Sequence, residues 1–273
     1  TSRLVDGAAN LAEPELARVK GTEEPVEARR LLGMAKHDWA AREDSVLVGR
    51  RWEMSAIEGL LEGAIEGHGA VVGLVGPPGI GKSRVVREVA QMAGRRGVEV
   101  ARTFCESHTG QVPFHTIAGL LRAVAGVEGL EASAARARIR AGIPRAEVGG
   151  LLRLDDLLGI REPEFKLPPI DPDARRRRLT ALVNAASLAR ENPAVVVIED
   201  AQWIDEVSES MVAEFLTVVP QAPLLVIVAY RPEYRGMLSR IPGSQTIALA
   251  PLRDSETAAL ITGNGLWTQG YGV

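Results

Sequence analysis

The sequence predicts an α/β fold with a parallel sheet flanked by helices, preceded by a short N-terminal β segment. Beyond Val46, apolar runs of strand length alternate with longer stretches of helical period. The runs 194–198 and 224–229 are apolar throughout, as expected for strands that are covered on both faces. Pro193 and Pro223 precede these runs and favour strands over the alternative of buried helices.

The predicted elements follow in chain order. Residues 1–36 contain two strand-like pieces, ELARVKG and PVEARRLLG, which the turn-forming GTEEP separates, and residues 37–45 are predicted to form a polar linker. The strands predicted beyond the linker are 70–75, 98–104, 194–198, 224–229 and 246–249. The predicted helices are 82–93, 114–125, 133–141, 173–190, 207–218 and 255–261, and a helical insertion covers about residues 127–169.

Charge argues against nucleic acid as a partner. The 273 residues carry a formal net charge of −3, so no overall basic field favours nucleic acid or an anionic membrane. The densest basic run, ARRRRL, begins at Ala174 and is offset by Asp171 and Asp173. It is predicted to be a solvated helix face.

Apolar segments and cysteine content indicate the compartment. No apolar segment reaches the ~18 residues that a membrane span requires, and no basic-then-apolar leader opens the chain, so we expect a cytoplasmic location. Cys105 is the single cysteine, which excludes an internal disulfide and fits a reducing environment. We expect its side chain in the core.

The segment GPPGIGKS fits the pattern G-x-x-x-x-G-K-[ST], which is the motif of a phosphate-binding loop. A strand is predicted to end just before it and a helix to begin at Lys82. In such a loop, backbone N–H groups and the positive end of the helix hold phosphate. Glycines at 76, 79 and 81 are expected to allow positive φ and close approach of phosphate oxygens. The alternative interpretation is a Gly/Pro turn without a ligand.

The motif assigns individual roles within this loop. Lys82 is predicted to reach the β- and γ-phosphates, and Ser83 to ligate Mg²⁺. The predicted nucleotide-binding residues of the segment are Gly76, Pro77, Pro78, Gly79, Ile80, Gly81, Lys82, Ser83 and Arg84.

Two carboxylates follow the apolar strand 194–198. Glu199 and Asp200 are predicted to lie at the carboxyl edge of the sheet, beside the phosphates. One is predicted to hold Mg²⁺ and the other to polarise the water that attacks the γ-phosphate. Their division of roles stays open, because the usual order places Asp first and this chain has Glu first. The alternative is a solvated acidic turn.

Arg231 follows the apolar strand 224–229 and is predicted to reach the same edge of the sheet. There it senses the γ-phosphate or stabilises developing charge. The alternative is an exposed loop arginine. The predicted catalytic residues are therefore Lys82, Glu199, Asp200 and Arg231, and the predicted metal ligands are Ser83, Glu199 and Asp200.

With these residues in place, the chain from residue 46 to residue 262 resembles the P-loop signal-transduction ATPases of the STAND class, which are related to the AAA+ group. VLVGRRWEMSAIEGLL is similar to the entry segment of that family, which implies that the backbone of Val48, Gly49 and Arg50 contacts adenine. VVVIEDAQWID resembles its acidic strand, VAYRPEY its sensor strand and LAPLRDSETAALI the start of its lid. The resemblance implies a P-loop NTPase fold with ATP and Mg²⁺ as ligands.

A second resemblance concerns the N-terminal zone. ELARVKGTEEPVEARRLLG is similar to the last strands of class III adenylate or guanylate cyclase domains, which implies that residues 1–36 are the remnant of such a domain. The alternative is an unrelated hairpin. A cyclase's metal-binding and base-reading residues would lie upstream, so cyclase activity is not expected. The chain begins at Thr1, and residues 263–273 form a Gly-rich tail in place of the family's lid. We therefore expect a piece of a longer parent protein with covalently linked regulatory domains.

Three functions are compatible with these features. The first is a switch that binds ATP and ADP, hydrolyses ATP slowly with Mg²⁺, and controls an attached output domain, with a nucleotide-dependent oligomer as one form of output. The second is a nucleotide-binding scaffold without turnover, because the lid is missing and Glu199 replaces the usual Asp. The third is a replication-type motor or loader on DNA, which the balanced charge and the cyclase-like start disfavour. The sequence favours the switch.

Overall fold

The computed structural model describes residues 9–13, 15–17, 26–29, 31–34, 47–143, 146–162, 164 and 169–263. The chain divides into two compact units, Thr1–Asp44 and Ser45–Val273. The predicted linker, residues 37–45, and residues 264–273 of the predicted tail lie outside the described residues.

The first unit contains two nested antiparallel strand pairs. Its strands are β1 (Ala9–Leu11), β2 (Glu15–Ala17), β3 (Val26–Ala28) and β4 (Leu31–Met34). β1 pairs with β4, and β2 pairs with β3. The two predicted pieces contain β2, β3 and all of β4 except Met34, whereas β1 was not predicted. The cyclase resemblance of this unit stays a prediction.

The second unit is built on a five-stranded sheet in which every pairing is parallel. Its strands are β5 (Ala70–Val75), β6 (Glu99–Phe104), β7 (Ala194–Glu199), β8 (Leu224–Tyr230) and β9 (Gln245–Ala248), in the order β6-β7-β8-β5-β9. Every residue of β7 and β8 is buried, which explains their unbroken apolar character. The predicted α/β fold class is confirmed.

Helices cover the sheet. They are α1 (Arg51–Ile65), α2 (Lys82–Arg95), α3 (His115–Ala125), α4 (Ala132–Gly142), α5 (Val148–Leu157), α6 (Pro172–Leu188), α7 (Glu206–Leu216) and α8 (Asp254–Gly263). The strands and helices predicted beyond the linker are found to within two residues at either end. Helix α1 was not predicted, and α5 lies in the insertion that was assigned only as helical. Within the described part of the chain, no helix has the length and apolar character needed to cross a membrane.

The basic run at the start of α6 is only partly a solvated face. Arg175 pairs with Asp156 of α5 at 3.0 Å, and Arg176 pairs with Glu214 of α7. The two arginines that follow are exposed, as predicted. Half of the run therefore joins α6 to its neighbouring helices, in contrast to the predicted solvated face.

Candidate functional site

The loop between β5 and α2 has the backbone conformation that its glycines allow. Gly79 and Gly81 have φ of 77° and 104°, in the left-handed region that glycine adopts without strain. Gly81 is the N-cap of α2 and provides no side-chain cap for the first N–H groups of the helix. These N–H groups and the helix dipole favour an anion at this end of α2.

Gly76 is needed for a different reason from the one predicted. Its φ is not positive, in contrast to the expectation for all three loop glycines. A Cβ atom at this position would lie 2.6 Å from Cγ2 of Ile80, so close packing within the loop requires glycine. The Gly76 N–H donates to the Tyr230 carbonyl at 3.2 Å, which fixes the start of the loop to the end of β8.

Lys82 holds the loop closed from inside. Its side chain is only 9% exposed, and Nζ donates to the carbonyl oxygens of Gly76 at 2.7 Å and of Pro77 at 3.2 Å. Burial lowers the pKa of Lys82, and the nearby negative charge of Asp200 opposes that shift. The charges of Arg231 and Glu199 also act on this ammonium, so the structure brings the four predicted catalytic residues together.

A hydroxyl and an arginine hold both carboxylate oxygens of Glu199. This residue ends β7 and is 2% exposed. Ser83 Oγ donates to Oε2 at 2.6 Å, and the guanidinium of Arg102 pairs with Oε1. Arg102 also stacks on Phe104, with its Cζ atom 4.0 Å from the ring centroid. Burial lowers the pKa of Arg102, and its contact with Glu199 counteracts that shift.

Sequence reasoning missed Arg102. The one signal for it is its place in β6, because a charged residue in the middle of a strand of the sheet favours a charged partner. In the β6–β7 pairing, Arg102 lies opposite Val197, two residues before Glu199. That register cannot be derived until the strand order is known.

Asp200 is linked to Arg231 through Gln202, a residue that sequence reasoning also missed. Asp200 has a φ of 54°, which is uncommon for a residue with a side chain. Its Oδ1 accepts from Gln202 Nε2 at 3.0 Å, and Gln202 Oε1 accepts from the Arg231 N–H at 3.2 Å. The Arg231 side chain is half-buried, with Cζ 5.8 Å from the centroid of the Trp203 ring. The ends of β7 and β8 are thereby joined.

The entry segment contacts the loop through a side chain as well. Arg50 is 5% exposed, and its Nη2 donates to the Ile80 carbonyl at 3.1 Å. Gly49 has a φ of 72°, and a Cβ atom there would lie 2.7 Å from Cδ of Glu256 in α8. Val48 is half-buried beside them. The segment predicted to contact adenine thus lies against the phosphate loop and the start of α8.

Several predicted loop residues are accessible to solvent. Pro77, Pro78 and Ser83 are exposed, and Arg84 pairs with Glu88 at 2.9 Å, one turn further along α2. The Arg84 side chain would therefore have to leave this ion pair in order to contact a nucleotide.

Asp205 anchors α3 beside this site. It is 2% exposed and caps α7 by accepting the Ser208 N–H at 2.9 Å. The same carboxylate accepts the N–H groups of Phe114 at 3.0 Å and Thr116 at 3.2 Å, at the start of α3. Asp205 therefore joins the segment that trails the acidic strand to the start of α3.

Cys105 is a core residue, as predicted. Its side chain is 4% exposed, and burial raises the pKa of the thiol to about 12. Its N–H donates to the Glu199 carbonyl at 2.9 Å, so the chain leaving β6 is tied to the acidic end of β7.

The donors at this edge fit Mg²⁺. Hydroxyl and carboxylate oxygens are the ligands this ion prefers, and Ser83, Glu199 and Asp200 supply them. In the part of the chain that the structure describes, no cluster of three His, Cys, Asp or Glu side chains forms an all-protein metal cage.

Residues 46–227 match the model of a family described as the AAA ATPase domain. A curated relative, an uncharacterized protein of Rhizobium meliloti (strain 1021), is 30% identical over 222 residues. The aligned region covers 79% of this chain and 21% of that protein, so the chain spans about a fifth of its relative's length.

Solved structures with a similar arrangement have low sequence identity to this chain. Cdc6p from Pyrobaculum aerophilum is 15% identical with a TM-score of 0.47, over 83% of this chain and 52% of that one. A STAND protein with a tetratricopeptide repeat sensor from Pyrococcus horikoshii is 16% identical with a TM-score of 0.41, over 86% of this chain and 28% of that one.

Proposed function

Because the chain belongs to the AAA ATPase domain family, we propose that residues 46–262 bind ATP and hydrolyse it slowly with Mg²⁺, as the switch of a larger signalling protein. One observation carries the proposal: Ser83 Oγ, at the end of the phosphate loop, donates to Glu199 Oε2 at 2.6 Å, at the carboxyl edge of one parallel sheet. A phosphate loop and the groups needed for phosphoryl transfer therefore share one site.

The loop provides the binding step. The N–H groups at the start of α2 face the anion, and Gly79 and Gly81 give the backbone its left-handed turns. Lys82 Nζ exchanges the neutral carbonyls of Gly76 and Pro77 for charged phosphate oxygens. The entry segment at Val48, Gly49 and Arg50 receives the adenine, as the family resemblance implies.

The acidic edge provides the turnover step, and its contacts suggest a division of roles. Ser83 and Glu199 are joined at 2.6 Å, and we assign this pair to the metal. Bound Mg²⁺ supplies neutralisation of the β- and γ-phosphate charge. Asp200, which Gln202 orients, polarises the attacking water, and Arg231 stabilises the charge that develops on the γ-phosphate.

The signalling role rests on the resemblance of residues 46–262 to the STAND class and of residues 1–36 to cyclase ends. In this proposal, nucleotide state is transmitted to domains elsewhere in a longer cytoplasmic parent protein, with oligomerisation as one form of output. The relative that is 30% identical is long enough to hold such domains, because the aligned region is 21% of its length.

A scaffold that binds nucleotide without turnover is the second candidate. Both oxygens of Glu199 have partners, and one of these is the Arg102 guanidinium, which competes with a metal for the carboxylate. If Arg102 keeps Glu199 from binding the metal, ATP would be bound but not hydrolysed.

Phosphate release from MgATP separates the two candidates. We expect slow turnover by the wild type, which both Lys82→Ala and Asp200→Asn abolish. Binding of ATP that depends on Lys82, with no phosphate release at any Mg²⁺ concentration, would favour the scaffold. Binding that survives Lys82→Ala would contradict both candidates.

A further inference from the structure

A cavity lies on the insertion side of the sheet, away from the phosphate loop. Its volume is about 610 Å³, inside the ~300–1,000 Å³ range of pockets that hold small molecules. Strands β6 and β7 form one wall, and helices α3, α4, α5 and α6 form the others. Glu99 and Ala194 lie at the amino-terminal ends of their strands, whereas the phosphate loop follows the carboxyl end of β5.

The wall of this cavity is mainly aliphatic. Its members come from every surrounding element and include Ile117, Leu120, Ile139, Leu154, Leu182 and Val196. Water in a cavity needs several polar partners, which a wall of this kind does not provide. The surface therefore fits an apolar body.

Charge is confined to the rim. Among the described residues that line the cavity, the charged ones are Glu99, Arg138 and Arg190. Arg190 and Glu99 form an ion pair with each other. Arg138 Nε donates to the neutral Ala125 carbonyl at 2.8 Å, and in the described ranges no carboxylate pairs with its guanidinium. The rim thus carries a net positive charge, with Arg138 as its unneutralised group.

We propose that this cavity binds a small carboxylic acid with an aliphatic body. The aliphatic chain packs against the wall, and the carboxylate is held by Arg138, whose planar guanidinium suits a carboxylate. The site is independent of the phosphate loop, since no described lining residue belongs to that loop or to the acidic edge.

An NMR titration tests the proposal. Decanoate is added to the full chain, in which the isoleucine δ1 methyl groups are labelled. Ile117, Ile139 and Ile143 line the cavity, so the signals of their δ1 methyl groups should shift and reach a plateau as decanoate is added. Ile57 in α1 and Ile247 in β9 are buried elsewhere, so the chemical shifts of their methyl groups should not change. Uniform shifts at all five methyls, or no saturable shift at the three in the cavity, would overturn the proposed site.

Decan-1-ol has an aliphatic chain of the same length as decanoate and no carboxylate, so it measures the contribution of the apolar wall alone. Arg138→Gln should weaken decanoate about tenfold, the effect of losing one charge-assisted hydrogen bond, and leave decan-1-ol unchanged. The matched control, Arg177→Gln, removes an exposed arginine that does not line the cavity and should change neither. Equal weakening of acid and alcohol, or none, would overturn the role of Arg138.

Ala186→Phe places a bulky side chain on the wall and should abolish the binding of both ligands. Unchanged signals of Ile57 and Ile247 would show that this variant is folded. Retained binding in the folded variant would contradict the cavity as the site.

Discussion

The two sides of the phosphate site are built in different ways. The loop side, residues 76–84, closes on itself through hydrogen bonds from Lys82 to the Gly76 and Pro77 carbonyls. The acid side consists of Arg102 within β6, of Glu199, Asp200 and Gln202 at and just after the end of β7, and of Arg231 just after the end of β8. Glu199 and its partner Arg102 are 97 positions apart in the chain.

Because the two sides are built differently, ATP binding and ATP hydrolysis should depend on different residues. A loop whose donors are contiguous can hold phosphate wherever its strand and helix form. A carboxylate edge can act on the γ-phosphate only when β6, β7 and β8 have the correct order and register. Variants of the acid side should therefore lose turnover and keep ATP, whereas variants of the loop side should lose both.

The largest effect is expected for Asp200→Asn. Loss of the carboxylate that polarises water should lower kcat about 10³-fold, within the range for a general base, and change ATP affinity by less than about threefold. Steady-state phosphate release and equilibrium ATP binding measure the two quantities. Glu206→Gln removes an exposed acid at the start of α7 and should change neither. A similar loss in Glu206→Gln would show that the effect is not local.

Arg102→Met should destabilise the fold, because it leaves the charge of Glu199 buried with Ser83 as its remaining partner. We expect a loss of about 3 kcal/mol in the free energy of unfolding, measured with urea. The double variant Arg102→Met/Glu199→Gln removes the unpaired charge and should recover part of that loss. Additive losses in the double variant would mean that the two side chains are not coupled.

Lys82→Ala should impair phosphate binding by the loop side. Loss of the charge that meets the phosphates is expected to weaken ATP binding about a hundredfold, as for a hydrogen bond to a charged group of about 3 kcal/mol. Arg95→Ala removes an exposed positive charge from the far end of the same helix and should leave the affinity unchanged. Equal weakening by both substitutions would point to a general effect of charge on ATP.

The titration of Cys105 has no effect near neutral pH and reports, at high pH, on the burial of this thiol beside the acid side. Because its pKa is raised to about 12 in the folded chain, from 9.0, the unfolded thiol ionises first as pH rises. The stability from the neutral thiol is complete below pH 9 and is lost toward pH 12. Between these values the wild type should lose up to about 1.4 kcal/mol per pH unit relative to Cys105→Ala. Parallel pH profiles of the two proteins would contradict this burial.

Local patterns explain what could be predicted from the sequence. The strands 194–198 and 224–229 are unbroken apolar runs, and the phosphate loop is eight contiguous residues, so neither needs knowledge of the fold. Arg102 and Gln202 escaped prediction because their partners are fixed by strand order and by a turn. The need for glycine at position 76 was assigned to φ, although the Ile80 side chain is its cause.

The central claim is that the loop side binds and the acid side turns over. The most direct test is one titration of MgATP into the wild type, Asp200→Asn and Lys82→Ala, with phosphate release measured on the same samples. We predict that Asp200→Asn binds ATP like the wild type without releasing phosphate, and that Lys82→Ala does neither. Loss of ATP binding in Asp200→Asn, or phosphate release by Lys82→Ala at the wild-type rate, would contradict the claim.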